Sequence, residues 1–299
     1  MCDLRIGRSS AHPLRWGHVD VDSISVSALG RASLDMTRAP ALPRIASARF
    51  WEIDLARTIA IAMMVAYHSV YDIELLVPGL GPDPFRGPWG WLPEATGSLF
   101  LSVAGVSLAV VDGRLRARGA TRVDRLRRHL RHALVVLSAA MLVTLATRVA
   151  FDERYVRFGI LHMIGLAIVI GAVSVAIGRW NLVLGTLVIL AGVAIAGAST
   201  QSPLLGILGF DQVGFSSVDH WPVLPWLGPM LIGIGAGTAF YPGGRRAPAL
   251  AARLRTAPSP RFAAPGRYSL VIYLGHQLVL IPVVWSVLVV AGAEPPWPI

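Results

Sequence analysis

Asp54, Arg57, His68 and Asp72 share one otherwise apolar stretch, residues 49–72. On a helix advancing about 100° per residue, Asp54 and Asp72 point the same way, and Arg57 and His68 lie within about 60° of that line. Charge inside a bilayer is costly, so such a stripe marks either a functional interior or a salt-bridge seam between helices. His68 suits general-base work because an imidazole has an unperturbed pKa of about 6.5. Asp72, one turn on, is placed to fix its tautomer and stabilise the imidazolium. His162 is a second candidate base and reads equally well as a hydrogen-bonded structural histidine. His276 and Gln277 follow two helical turns of apolar sequence, with Tyr273 on their face at i+3 and i+4 spacing. They are expected to line a polar interior shared with Asp54 and Arg57. Asp219-His220-Trp221 adds a third histidine near His68 and His162, although His220 reads as an interfacial residue. No HxH, HxxxH or HExxH spacing is present, and no metal is expected.

The elements that must position these groups are membrane helices. Of 299 residues, 54% are hydrophobic and 15% charged, against about 25% charged in a soluble domain. Long apolar runs complete the picture of an all-α polytopic membrane protein. The net charge is +10, and all 27 basic residues are arginine. They gather in short loops between apolar runs, which fits topology and anionic lipid rather than nucleic acid. The single cysteine, Cys2, excludes an intrachain disulfide and a cysteine metal cluster. Residues 1–48 are polar and aperiodic, with no apolar core of a signal peptide. They read as a disordered cytoplasmic tail or as translated upstream sequence with Met36 as the start. The transmembrane domain is expected over 49–291, with a short extracytoplasmic tail at 292–299.

Seven segments are long enough to span: about 53–71, 95–112, 132–150, 158–178, 181–199, 223–241 and 268–291. The second has an interfacial lead-in at Trp89, Trp91 and Pro93. The fourth and fifth form a tight hairpin at Arg179-Trp180-Asn181. Eight arginines at 112–131, six at 242–267, Arg179 and seven up to Arg49 fall on one side. The positive-inside rule makes that side cytoplasmic, with the C-terminus outside the cell membrane. The 112–131 segment is also a candidate amphipathic helix, with Leu115, Val123, Leu126 and Leu130 between its arginines. His68, Asp72 and His162 then lie toward the outer face, and Asp54 and Arg57 toward the cytoplasm.

Five stretches, RFWEIDLARTIAIAMMVAYHSVYD (49–72), GSLFLSVAGVSLAV (97–110), FGILHMIGLAIVI (158–170), PVLPWLGPMLIGIGAG (222–237) and GRYSLVIYLGHQLVLI (266–281), carry a resemblance. Their order and spacing resemble the bacterial and archaeal branch of the heparan-α-glucosaminide N-acetyltransferase catalytic-domain family. The first stretch also resembles the opening helix of the wider membrane acyltransferase group. Thr58 departs from the glycine common in related chains, which implies a looser helix approach there. The resemblance implies acyl transfer across the bilayer. Acetyl-CoA is the cytosolic donor, and an amino or hydroxyl group of an envelope glycan or glycolipid is the acceptor. On that reading Arg57, Arg267 and the arginine-rich loops hold the donor's phosphates, Tyr273, His276 and Gln277 admit its arm, and His68, Asp72 and His162 serve the acceptor. A homodimer is compatible with it. The competing readings are a transporter or flippase of a lipid- or CoA-linked intermediate and a non-catalytic membrane protein. The absence of an inverted repeat counts against the transporter, and the many intramembrane polar groups count against a purely structural role.

Overall fold

The computed structural model describes residues 49–256 and 259–296. The expectations for residues 1–48, including Cys2 and Met36, and for residues 297–299 lie outside the described residues. Helices follow the apolar runs: α1 Trp51–Leu76, α2 Gly87–Ala117, α3 Arg122–Phe151, α4 Ile160–Ser174, α5 Asn181–Ile195, α6 Val223–Phe240 and α7 Ser269–Val290. Sheet among the described residues is confined to the strands Ser199–Thr200 and Asp211–Gln212, paired in parallel.

Among the described residues six apolar helical stretches are long enough to cross a membrane, and one of them, Ile160–Ile195, contains both α4 and α5. Gly178, at φ +58°, breaks that stretch, a backbone conformation glycine adopts without steric cost. The chain reverses there. Gly171 of α4 approaches Ile234 of α6, and Phe158 just before α4 pairs with His220 just before α6, so α4 and α6 run in parallel. Leu182 of α5 approaches Gly235 while Gly192 approaches Pro225, so α5 runs against α6. The stretch therefore makes two passes, and the described residues make seven.

Two interhelical ends result. At one, Glu52 receives hydrogen bonds from Arg246 at 2.6 and 2.7 Å, and Arg114 donates to the Gly244 carbonyl at 3.0 Å. This arginine-rich end gathers the start of α1, the α2–α3 turn, the α4–α5 reversal and residues 241–256 and 259–268. At the opposite end, the Val218 amide donates to the Arg154 carbonyl at 2.8 Å, and Leu76 packs with Val284 and Leu288.

Two segments differ from the expectation. The lead-in at Trp89, Trp91 and Pro93 is already helix, because Pro88 occupies the first turn of α2, where a missing N–H costs nothing. The 112–131 segment is not a surface helix. It is the end of α2, a four-residue turn and the start of α3. Gly119 turns the chain at φ +78°. Thr121 and Asp124 form a capping box, the Asp124 amide donating to Thr121 Oγ1 at 3.2 Å. Buried Asp112 accepts from Arg125 at 2.7 Å and from Arg116 at 3.3 Å, which ties α3 to α2.

The core sits around α6, which packs on α2, α5 and α4. Leu101, Met163, Met230, Leu231 and Ile234 are fully buried there. Outer faces are apolar, with Leu134, Leu142, Val149, Leu187, Leu278 and Val290 exposed, as lipid-facing surfaces must be. Among these helices, α7 packs on α1 and on the short turn Pro265–Tyr268.

Candidate active site

The stripe on α1 is buried at both ends, Asp54 at 3% and Asp72 at 0% exposure. At the arginine-rich end Asp54 accepts from Arg57 at 2.8 Å, and Arg267 approaches it to 3.7 Å. Arg57 also donates to Ser107 Oγ on α2. The Gly266 amide donates to Thr58 Oγ1 at 2.9 Å. A Cβ on Gly266 would stand 1.9 Å from the Asp54 carbonyl oxygen, so the backbones touch. Thr58 therefore does not loosen the approach, because its hydroxyl supplies the bond that holds the incoming turn.

A cavity of about 940 Å³ opens beside this junction, near the upper end of the usual range for ligand pockets. Arg127, Arg128, Arg131, His132 and Arg267 surround its mouth, and Arg57 and Ser107 stand in its wall. Its apolar depth, with Phe100, Leu161 and Ile164, reaches Tyr273 on α7 and Ile160 at the far end of α4. Sequence spacing did not bring out Ser107, His129 or His132 as neighbours of Arg57. Their signal was a serine inside the apolar run 97–110 and two histidines three residues apart where the arginine-rich segment enters the third apolar run.

Beyond Tyr273 lies a polar cluster. Gln277 donates from Nε2 to Asp72 Oδ1 at 3.0 Å and to His68 Nδ1 at 3.3 Å. The His68 and His276 rings are 4.8 Å apart. The sequence expectation grouped His276 and Gln277 with Asp54 and Arg57; the structure sets them against His68 and Asp72 instead. The reason is helix geometry: the turn before α7 meets α1 at Gly266, and α7 then runs along α1 toward the opposite end, carrying Gln277 to the Asp72 level. Asp72 does not bond His68 directly, and Gln277 stands between them.

These bonds define the ring tautomers. An amide nitrogen only donates, so His68 Nδ1 is an acceptor and the neutral ring carries its proton on Nε2. His276 Nδ1 lies 2.5 Å from the Tyr273 carbonyl, which only accepts, so Nδ1 bears the proton and Nε2 offers a lone pair. His276 Nε2, Asp72 Oδ2 and Gln277 Oε1 are buried without a hydrogen-bond partner among the described residues. Buried polar atoms are normally paired, and three orphans in one cluster mark where a ligand or proton would be received. One imidazole is thus a donor and its neighbour an acceptor.

The remaining candidates lie apart from this pair. His162 Nδ1 accepts from the Gly159 amide at 3.3 Å and Nε2 lies 3.4 Å from Thr144 Oγ1. It caps its own helix, and no described contact joins it to His68. His220 packs against Phe215, with ring centroids 4.8 Å apart. Among the described residues no group of three or more histidine, cysteine or acidic side chains has metal-binding geometry.

Asp219 fastens the loop before α6 to the start of α4. Its Oδ2 accepts from the Ile160 amide at 2.9 Å, and its Oδ1 from the Trp221 indole. Burial pushes its pKa up to about 6, against the lowering pull of those two donors. The folded state therefore holds this proton to higher pH than the unfolded chain, whose carboxyl titrates near 3.9. The stabilising share of protonation is complete below the unfolded pKa and is lost as pH rises through about 6. Thermal unfolding in detergent should show stability declining between roughly pH 4 and 6, with a flatter profile in Asp219→Asn. Equal slopes in both proteins would remove Asp219 as the titrating group.

Residues 49–278 match the family model described as heparan-alpha-glucosaminide N-acetyltransferase, catalytic. Neither the curated proteins nor the solved structures give a match. The matched region runs from the start of α1 to the middle of α7 and so contains the cavity, Asp72, His68, His276 and Gln277. By that match the chain belongs to the heparan-α-glucosaminide N-acetyltransferase catalytic family of membrane acetyltransferases.

Proposed function

We propose that this protein transfers an acyl group, acetyl in the first instance, from a CoA thioester at its arginine-rich end to an amino or hydroxyl group of an envelope sugar or glycolipid at the opposite end. The observation that carries this reading is the continuity of the cavity, from its cationic mouth to Tyr273, with the donor–acceptor imidazole pair behind it. The positive-inside rule makes the arginine-rich end cytoplasmic, where acyl-CoA is available. This puts the N-terminus in the cytoplasm and the C-terminus outside the cell membrane.

The residues present fit such a donor. Arg127, Arg128, Arg131 and Arg267 would hold phosphates at the mouth, since guanidinium groups pair with phosphate oxygens in bidentate fashion. Arg57 and Ser107 would meet the amide-bearing arm farther in. The donor supplies an acyl carbon and a thiolate leaving group. His276 accepts the acceptor's proton at Nε2 as the new C–N or C–O bond forms, its Nδ1–H staying on the Tyr273 carbonyl. His68 offers Nε2–H to the carbonyl oxygen as negative charge develops there. Gln277, held by Asp72, keeps His68 in that tautomer. The proton on His276 then passes to the departing thiolate, and the C–S bond is broken. This divides between His68 and His276 the work first expected of His68 with Asp72, or of His162 as second candidate, and makes Asp72 and Gln277 positioning residues.

The test is transfer of labelled acetyl from acetyl-CoA to amino- and hydroxyl-bearing sugar acceptors by purified protein in nanodiscs. Label retained wholly on CoA across the acceptor panel, with CoA unbound, would end the reading. Arg57→Ala should weaken CoA binding and shallow its salt dependence, because one cation leaves the wall of the cavity that receives the polyanionic donor. Unchanged binding would confine Arg57 to its pairing with Asp54 and Ser107.

A further inference from the structure

Val135 on α3 and Val271 on α7 both line the cavity, and at 56% and 69% exposure they do not form a closed wall. The two helices that carry them do not pack together; α3 rests on α4, and α7 on α1. Between α3 and α7 there is therefore a slot whose edges are valines and whose outer side faces the hydrocarbon of the bilayer. Its position is informative. Val135 lies one turn along α3 from Arg131, and Val271 near the start of α7 is four residues after Arg267 of the turn Pro265–Tyr268. The slot thus leads directly from lipid to the cationic mouth, short of the His68–His276 cluster.

A water-borne donor needs no such slot, because it enters through the arginine-rich mouth. The combination suits a ligand with an anionic phosphate head and a hydrocarbon tail. We infer that an anionic phospholipid of the arginine-side leaflet enters between Val135 and Val271, sets its phosphate on Arg131 and Arg267, and so competes with the phosphates of the acyl donor. Charge complementarity selects the head, since four arginines stand at the mouth against the single carboxylate of Asp124. The slot's width and apolar edges select the tail. This rests on the proposed function only for the identity of the competitor; the lipid site itself stands on the slot and the arginines.

Nanodiscs of neutral phosphatidylcholine and of phosphatidylcholine mixed with phosphatidylglycerol test it. The apparent Kd for CoA should be several-fold higher in the anionic discs. Val271→Trp, which fills the slot, should abolish that difference, read as the ratio of the two Kd values within each protein; Val135→Trp repeats the test from the other wall. An equal lipid effect in wild type and both variants means that bilayer surface charge alone repels CoA, and overturns the proposal. So does the absence of any lipid effect in the wild type. Spin-labelled phosphatidylglycerol provides a readout independent of CoA. A motionally restricted population, absent with spin-labelled phosphatidylcholine and lost in Val271→Trp, is the expected result even if CoA does not bind. Equal restriction of both lipids sinks the proposal.

Discussion

His276→Ala should lower acyl transfer by about 10²–10⁴-fold, the usual contribution of a positioned proton acceptor, with CoA binding retained. The expectation comes from which nitrogen is free. His276 Nδ1–H is committed to the Tyr273 carbonyl, and Nε2 is buried and unpartnered. His68 has the complementary arrangement, its Nδ1 accepting from Gln277. Glutamine substitution separates the two roles, because a glutamine amide can donate a hydrogen bond but is not a base at accessible pH. His68→Gln should therefore keep measurable activity above His68→Ala, whereas His276→Gln should be as inactive as His276→Ala. The rise of kcat/KM with pH, which reports the free enzyme's base, should survive in His68→Gln and disappear in His276→Gln. The reverse pattern, with His276 dispensable and glutamine failing at 68, would return the base role to His68 with Asp72. Gln277→Ala should show a smaller loss, partly restored in Gln277→Asn if the shorter amide reaches His68. If Gln277 acts through His68, Gln277→Ala should cost little more in the His68→Gln background, whereas a merely structural glutamine would cost the same in both backgrounds.

Much of this architecture is legible in the sequence because its signals are local. Apolar run length gives each pass, and arginine placement sorts the loops into two ends, as the contacts among residues 52, 114, 244 and 246 bear out. The α1 stripe follows from helical periodicity alone, and both its carboxylates are buried. The pairing of Gln277 with Asp72 is not local. It links residues 205 positions apart and depends on where α7 meets α1, which the Gly266–Asp54 backbone contact decides. No periodicity encodes that contact, so the sequence reading put Gln277 at the wrong level of the bundle. The 112–131 segment failed for another reason. Its Thr121-x-x-Asp124 capping signal is written in the sequence, but eight arginines with spaced leucines mimic an amphipathic surface helix. Buried Asp112, at the edge of an apolar run, was the residue that pointed to an interior partner such as Arg125.

Gly233→Ala should destabilise the fold by about 3 kcal/mol or more, at or above the upper end for overpacking. Its Cβ would stand 2.1 Å from the Ser102 carbonyl oxygen, and a Cβ on Gly105 opposite would stand 2.1 Å from the Met230 carbonyl oxygen. The obstacle in both cases is backbone, which cannot swing aside as a side chain would. Small residues let membrane helices approach in this way because packing, rather than hydrophobic burial, holds such helices together. α6 depends on it twice, since Gly228 and Gly235 meet α5 on its other side. The damage should extend to function, because α2 carries Ser107, the partner of Arg57, and Phe100 and Ala104 in the cavity wall. Gly275→Ala is the matched control: the same methyl is added to a membrane helix, but nothing lies within 4 Å of its Cβ. Removing a helix-interior glycine should leave stability unchanged or raise it by up to about 1 kcal/mol. Thermal unfolding in one detergent, with CoA binding measured alongside, should separate the two variants widely. Equal midpoints would mean that α2 and α6 do not depend on backbone contact, and would remove the close crossing that places Ser107 beside Arg57.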